Sequence, residues 1–288
     1  MKIRKNWRLG LIGYPLTHSY SPLIHQTALG NSGLTGTYTL FSLPNPQQIG
    51  PVVAKLRSGK LDGLNVTIPY KREVIQYLDG LTTSAQVIGA VNTIFLKDER
   101  LIGDNTDASG FSQYLEHCST GHTFFSDHAL VLGAGGAACS VVYALNIQGW
   151  EVTIAARRLT QATLLSESFH HPNLHTAHWE AVTNHSFLKN FSLLVNTTPV
   201  GMAPNIDQSP LGDDVALPAG MLVFDLIYNP PKTRLLQLAE KNKTTAINGL
   251  GMLLHQAVLS FEIWTGIKVP VEKMQEVLNQ KLELEEER

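Results

Sequence analysis

Gly133-Ala134-Gly135-Gly136-Ala137-Ala138 has the spacing of a dinucleotide-binding fingerprint with alanine in its third position. It follows an apolar run, Ala129–Leu132, and opens a stretch rich in Ala and Val, the strand-then-helix setting such a turn requires. Glycines there let the backbone approach a pyrophosphate whose charge faces the helix N-terminus. About 20 residues past the first glycine, an acid would bind a ribose 2′-hydroxyl. The chain has Ala156-Arg157-Arg158 instead. Two guanidiniums suit a 2′-phosphate, so the pattern implies NADP; a solvated basic turn is the alternative.

A second set of residues is polar and clustered: His18-Ser19-Tyr20-Ser21-Pro22, Asn65 to Lys71, Gly89-Ala90-Val91-Asn92-Thr93 and Gly103-Asp104-Asn105-Thr106-Asp107. Each falls at a predicted strand end or turn, where α/β folds gather ligand contacts. Taken singly, each has a plainer reading. Ser21 can cap a helix begun by Pro22, and Asp107 can cap the segment leading to Gly110.

The elements that must position these residues come in two series. Leu9–Gly13, Tyr38–Phe41 and Gly63–Thr67 read as strands, with helices starting at Ser21-Pro22 and near Pro46. Thr93–Phe95 and Leu101-Ile102, joined by Asp98-Glu99, read as a hairpin. A second alternation begins at Ala129, with strands predicted at Glu151–Ala155, Phe191–Asn196 and Met221–Leu226. Strands alternating with helices imply parallel sheets, so the fold class is α/β with two α/β domains. A hinge is expected near Asp107 to Gly110, a long amphipathic helix from Gly249 to Trp264 stopped by Gly266, and a charged helix from Val271.

The bulk numbers narrow the function classes. With 43% hydrophobic and 16% charged residues, the chain can bury a sizeable core. A net charge of −2 without a long basic run argues against nucleic acid as a partner. Cys118 and Cys139 are the only cysteines and are widely separated, which speaks against a disulfide framework and points to a reducing cytoplasm. Lys2, Arg4, Lys5 and Arg8 resemble the start of a signal peptide, but the apolar run after them is too short. Ala129–Trp150 lacks charge, yet its central glycines divide it into a strand and a helix, so no membrane partner is expected.

Taken together, the ordered motifs resemble the shikimate dehydrogenase family over nearly the whole chain, from Leu11 to about Gly266. They are HSxSP at 18–22, NVTIPYK at 65–71, GAVNT at 89–93, GDNTD at 103–107, GAGGA at 133–137, NTTPVGM at 196–202, DLIYNP at 225–230 and NGLGMLLHQ at 248–256. The resemblance implies a discontinuous substrate-binding domain of residues 1–107 and 248–288, with a Rossmann-type NADP domain, 108–247, inserted in it. It also implies reversible reduction of 3-dehydroshikimate to shikimate with NADPH, in aromatic amino acid biosynthesis, by a monomer or homodimer. Carried over by motif, Lys71 and Asp107 are the catalytic pair, and both also contact substrate. Ser19 and Ser21 hold the substrate carboxylate, and Thr67, Asn92, Tyr228 and Gln256 are further substrate contacts. Gly133, Ala134, Gly135, Gly136, Ala137, Ala156, Arg157, Arg158, Leu226 and Gly249 are the cofactor positions.

The chain departs from the family in places. Where Asn-Arg-Thr and a further basic residue are usual, it has Ala156, Arg157, Arg158 and Gln161. Gln26 replaces the usual Asn, and Leu226 stands where Met is common. The implied chemistry suits the residues: hydride reaching a ketone carbon builds charge on oxygen, which a lysine can stabilise and protonate while a carboxylate orients it. No metal is required. His170, His171, His175 and His178 cluster in sequence, but Pro172 breaks any single helix presenting them, and a solvated surface is expected. Two rivals are a quinate-accepting enzyme of the same family and a non-catalytic NADPH-sensing module. Retention of both Lys71 and Asp107 argues against the second.

Overall fold

The computed structural model describes residues 6–286, so Lys2, Arg4 and Lys5 of the basic N-terminal run lie outside the described residues. In chain order, the first series is β1 (Trp7–Gly13), α1 (Ser21–Asn31), β2 (Gly36–Ser42), α2 (Ile49–Arg57), β3 (Gly63–Val66), β4 (Gly80–Leu81), α3 (Thr83–Ile88), β5 (Thr93–Lys97), β6 (Arg100–Asp104) and α4 (Thr106–Cys118). The second is β7 (His128–Leu132), α5 (Gly136–Ile147), β8 (Glu151–Ala156), α6 (Leu159–Phe169), β9 (Leu174–His178), α7 (His185–Leu188), β10 (Leu193–Asn196), β11 (Leu222–Asp225), α8 (Arg234–Lys241) and β12 (Thr245–Ile247). Two helices close the chain, α9 (Leu250–Thr265) and α10 (Val271–Glu286).

Residues up to Gly110 and from Leu253 onward make one compact unit, and Phe111–Met252 make another. The sequence places its boundaries at 107/108 and 247/248, a little before each of these divisions. Both divisions fall inside helices, α4 and α9. The expected hinge region, Asp107 to Gly110, lies inside α4 and ends at the first division. Gly110 is closely packed: a Cβ there would sit 2.7 Å from the Gln256 backbone nitrogen.

The first unit has a six-stranded sheet ordered β2-β1-β3-β5-β6-β4. β1 runs parallel to β2 and β3, whereas the β5–β6 hairpin makes β5 antiparallel to both β3 and β6. The sheet is thus mixed rather than parallel throughout, because a two-residue turn can only reverse the chain. Ile12, Leu64, Val66, Ile94 and Leu101 form its core with Ile49, Val53 and Leu56 of α2. Trp264 of α9 lies against Gly63, where any Cβ would strike its indole, and donates from Nε1 to Ile94 O at 3.1 Å.

The second unit has an all-parallel sheet ordered β12-β11-β10-β7-β8-β9. This is the doubly wound order, and its direction reverses between β7 and β10. β10 and β11 are buried along their whole length, as expected of a sheet covered on both faces. β9 and β12 were not read from the sequence. β9 is an edge strand with mostly exposed side chains, so it carries no apolar run to mark it.

Candidate active site

In the first unit, four polar clusters leave one edge of the sheet. β1 and β3 are parallel neighbours with Ile12 opposite Val66, so residues 14–21 and 67–71 emerge together. Tyr14 N–H donates to Ile68 O at 3.0 Å and joins the two segments. Thr93, the first residue of antiparallel β5, lies opposite Asn65 on one side and Asp104 on the other. The segments 89–92 and 105–107 therefore reach the same edge.

Lys71 Nζ and Asp107 Oδ2 meet there at 2.7 Å, with side chains 16% and 7% exposed. A half-dry ion pair is favourable only when its remaining lone pairs are satisfied. Asp107 Oδ1 accepts from Asn92 Nδ2 at 2.9 Å. The Asn92 amide has only one workable orientation, because its Oδ1 accepts from the Thr106 backbone N–H at 2.8 Å and that group can only donate. Gln256 Oε1 lies 3.3 Å from Asn92 Nδ2, while its own Nε2 donates to Leu253 O within α9. Lys71, Asn92, Asp107 and Gln256 thus form one connected group.

Ser19 and Ser21 sit at the start of α1. Ser21 does not cap this helix, as one of its two readings from sequence had it. Tyr20 has already adopted helical dihedrals, so Ser21 is inside the first turn and Pro22 follows it. The Ser19 hydroxyl accepts the Ser21 N–H at 3.3 Å, leaving the Ser21 oxygen uncommitted to capping. Thr67 is partly exposed just beyond β3, its N–H donating to Ile12 O at 2.8 Å.

Behind this group lies a buried hydroxyl-amide network that the sequence reading did not single out. Ser260 Oγ stands 2.7 Å from Thr93 Oγ1, 3.0 Å from Thr106 Oγ1 and 3.1 Å from Asn65 Nδ2. Asn65 Oδ1 accepts from the Tyr38 hydroxyl at 2.8 Å. One signal was available: Ser260 is four residues after Gln256 in one helical stretch, hence on the same face. His25 is also buried, stacked on Tyr38 with centroids 4.5 Å apart and tilted against Trp264 at 5.3 Å. Desolvation pushes its pKa down to about 3, opposed weakly by the neighbouring Asn65 amide.

In the second unit, Gly133 follows β7 with φ +111°, a conformation that favours glycine. A Cβ there would stand 2.6 Å from Thr197 Oγ1. Gly135 precedes α5 without a side-chain cap, and a Cβ on it would meet nothing within 4 Å. The turn follows β7, whose neighbours are β8 and β10, at the point where strand order reverses. Ala134, Gly136 and Ala137 are partly exposed around the turn. Arg157 and Arg158 follow β8 directly after buried Ala156; both are exposed, and neither makes an ion pair among the described residues. Such a surface fits a dinucleotide with a phosphorylated ribose. Leu226 and Gly249 are in close contact, since a Cβ at Gly249 would overlap Leu226 O. Tyr228 lies two residues past Leu226, and burial pushes its hydroxyl pKa up, which keeps it a donor.

Among the described residues, no group of His, Cys, Asp and Glu is placed to hold a metal, and no helix is long and apolar enough to cross a membrane. Of the clustered histidines, His175 pairs with Glu151 at 3.0 Å and His170 ends α6 in the left-handed region.

Comparison with known proteins agrees with these features. The family model for the shikimate dehydrogenase substrate binding domain matches residues 11–94, and that for the shikimate 5′-dehydrogenase C-terminal domain matches 249–278. The shikimate dehydrogenase (NADP(+)) of Shouchella clausii is 37% identical over 96% of this chain and 98% of its own. A crystal structure of shikimate dehydrogenase in complex with NADP+ superposes with a TM-score of 0.88 at 35% identity, covering 96% of both chains. Quinate dehydrogenase from Corynebacterium glutamicum in complex with NAD superposes with a TM-score of 0.86 at 27% identity, covering 96% of this chain and 100% of that one. The chain belongs to the shikimate dehydrogenase family.

Proposed function

We propose that this enzyme reversibly reduces 3-dehydroshikimate to shikimate with NADPH. The observation that carries the reading is the Lys71–Asp107 pair, in contact at 2.7 Å and tied through Asn92 to Gln256. Bound NADPH supplies the hydride. Negative charge then develops on the substrate's ketone oxygen, and the Lys71 ammonium stabilises it and gives up a proton to it. Such general-acid assistance contributes roughly 10²–10⁴-fold. Asp107 keeps Lys71 in place through Oδ2 and accepts a hydrogen bond from a neighbouring substrate hydroxyl. Ser19 and Ser21 donate to the substrate carboxylate, and Thr67, Asn92 and Gln256 bind its remaining oxygens. Gly133 to Ala137 take the pyrophosphate, Ala156 to Arg158 the 2′-phosphate, and Leu226 and Gly249 the nicotinamide side.

Structural likeness to a quinate dehydrogenase that binds NAD makes quinate the second substrate to test. The Arg157-Arg158 pair, without an acid at that strand end, favours NADP and the shikimate reading. The test is the absorbance of the reduced nicotinamide, followed with NADP+ and with NAD+, for shikimate and quinate side by side. NADP+-linked oxidation of shikimate is expected to be the fastest of the four combinations. Turnover of quinate alone would replace the substrate, and faster reaction with NAD+ would replace the cofactor.

A further inference from the structure

The second unit contains a fully buried carboxylate that the proposed reaction does not use. Asp225 ends β11. Its Oδ1 accepts from Asn196 Nδ2 at 2.9 Å and from the Ile227 N–H at 3.1 Å, and its Oδ2 accepts from the Thr233 hydroxyl at 2.6 Å. All three donors are neutral. Desolvation raises its pKa to about 6, with Thr233, Ile227 and Asn196 pulling the other way. A buried carboxylate without a cation costs stability, so tight folding alone does not account for it.

What the carboxylate holds is more informative. Asn196 Nδ2 is committed to Asp225, which turns its Oδ1 toward Thr198, where it accepts from the N–H at 3.0 Å and from the hydroxyl at 2.7 Å. Adjacent Thr197 donates to Leu132 O at 2.7 Å, and its hydroxyl is the atom that leaves no room for a side chain at Gly133. On the other side, Ile227 is held by its N–H, and its carbonyl accepts from the Gly249 N–H at 3.1 Å. Gly249 is in turn packed on Leu226 O. One side chain thereby fixes two segments of the same sheet edge: the one beneath the glycine turn, and the one bearing Leu226.

We propose that Asp225 is a positioning residue for the dinucleotide, setting the Gly133 turn and the Leu226 strand end in register through Asn196 and Ile227. This rests on reading Gly133–Ala137 and Leu226 as the cofactor site. Oδ1 must accept, because Asn196 and Ile227 present only N–H groups, while Oδ2 accepts from the Thr233 hydroxyl, whose oxygen also accepts from the Leu236 N–H at 3.3 Å. An asparagine can keep the first two bonds and turn its NH₂ toward the second lone pair of Thr233. An alanine keeps none.

The experiment is calorimetric titration of the full chain with NADP+ and, separately, with adenosine 2′,5′-bisphosphate, which lacks the pyrophosphate bridge and the nicotinamide. Asp225→Ala should raise the Kd for NADP+ about tenfold or more, and Asp225→Asn by about threefold at most. The Kd for adenosine 2′,5′-bisphosphate should stay within about twofold in both variants. Leu188→Ala, a core change elsewhere in the same unit, supplies a destabilised control whose NADP+ affinity should not move. Folded Asp225→Ala binding NADP+ as tightly as the unmodified chain would overturn the inference, as would equal weakening of both ligands. If Asp225→Ala does not fold, Thr233→Val replaces it. It should weaken NADP+ about threefold, with recovery in Thr233→Ser, and an unchanged Kd would count against the role. Failure of the unmodified chain to bind NADP+ would remove the cofactor reading itself, and this inference with it.

Discussion

The two α/β units present candidate ligand-binding edges made of different material. In the first, the edge is lined with side chains: an ion pair, two amides and several hydroxyls, each held by another side chain. Its mixed sheet makes this possible, because antiparallel β5 starts where β3 ends and so brings extra segments to one edge. In the second, the edge is mostly backbone: a glycine turn, uncapped N–H groups and a strand end. Its polar side chains, Asn196, Asp225 and Thr233, are buried beneath that backbone and hold it. A site built from side chains can move protons but is lost with one residue. A site built from backbone can cradle an anion and fails only when its supports do.

This contrast predicts the largest effect in the first unit. Lys71→Ala should lower kcat by roughly 10²–10⁴-fold while KM changes much less, since the lost interaction grows mainly in the transition state. Lys71→Arg should rescue little, because a guanidinium keeps its charge but rarely gives up a proton. Asp107→Asn should lower kcat too, and the double variant should be little worse than Lys71→Ala alone. Steady-state kinetics on folded protein decide the matter. A large rise in KM with kcat nearly intact would reduce Lys71 to a binding group.

The same contrast explains what was legible in the sequence. Gly133 to Ala138 could be read because a backbone cradle needs glycines at fixed spacing after a strand, and that requirement is local. Lys71 and Asp107 could be read only as members of ordered motifs: nothing local says that residues 36 apart will touch. Ser260 and Asn65, 195 residues apart, were invisible for the same reason, apart from the helical spacing of Ser260 and Gln256. Local rules misplace one feature: Ser21-Pro22 reads as a cap and first position, but the helix takes in Ser21. The boundary expected near Asp107 to Gly110 meets the division at Gly110, but that it lies inside a helix packed against Gln256 has a tertiary cause without a sequence signature.

Buried titratable groups sharpen the comparison, because they carry opposite pH signatures. His25 in the first unit has its pKa lowered from 6.5 to about 3 by desolvation. A depressed folded value means stability that is present above pH 6.5 and lost as pH falls toward 3, up to about 5 kcal/mol. Exposed Asp79, held down by Arg57 first and then by the Leu101 N–H, acts in the same sense. Asp225 in the second unit is raised from 3.8 to about 6, so its contribution is fully present below 3.8 and lost as pH rises through 6, about 3 kcal/mol. Segment-resolved hydrogen exchange, corrected for intrinsic rates, should show protection of β1 to β3 falling on acidification. That of β10 and β11 should fall less than β1 to β3 or rise. His25→Phe should flatten the first trend and Asp225→Asn the second. If both units follow one pH course, and neither variant changes it, these groups do not control the pH response.

The smallest effect should come from the part of the second unit that does rely on side chains. Arg157 and Arg158 are exposed at the end of β8 and paired with no carboxylate among the described residues, so both are available to a 2′-phosphate. Exposure screens their charge, which places each contact at the low end for charge-assisted bonds. The paired change Arg157→Ala plus Arg158→Ala should therefore lower kcat/KM with NADP+ about 10–100-fold, with the single changes losing less. Activity with NAD+, which has no 2′-phosphate, should stay within about twofold. Raising salt should narrow the NADP+ preference of the unmodified enzyme and leave the double variant unmoved, because screening acts only where the guanidiniums remain. A basic turn that merely faces solvent makes the opposite forecast: both cofactors keep their efficiencies in the double variant. In that case discrimination between NADP+ and NAD+ would have to come from the backbone of the glycine turn. That is a poor candidate, since both dinucleotides share the same pyrophosphate.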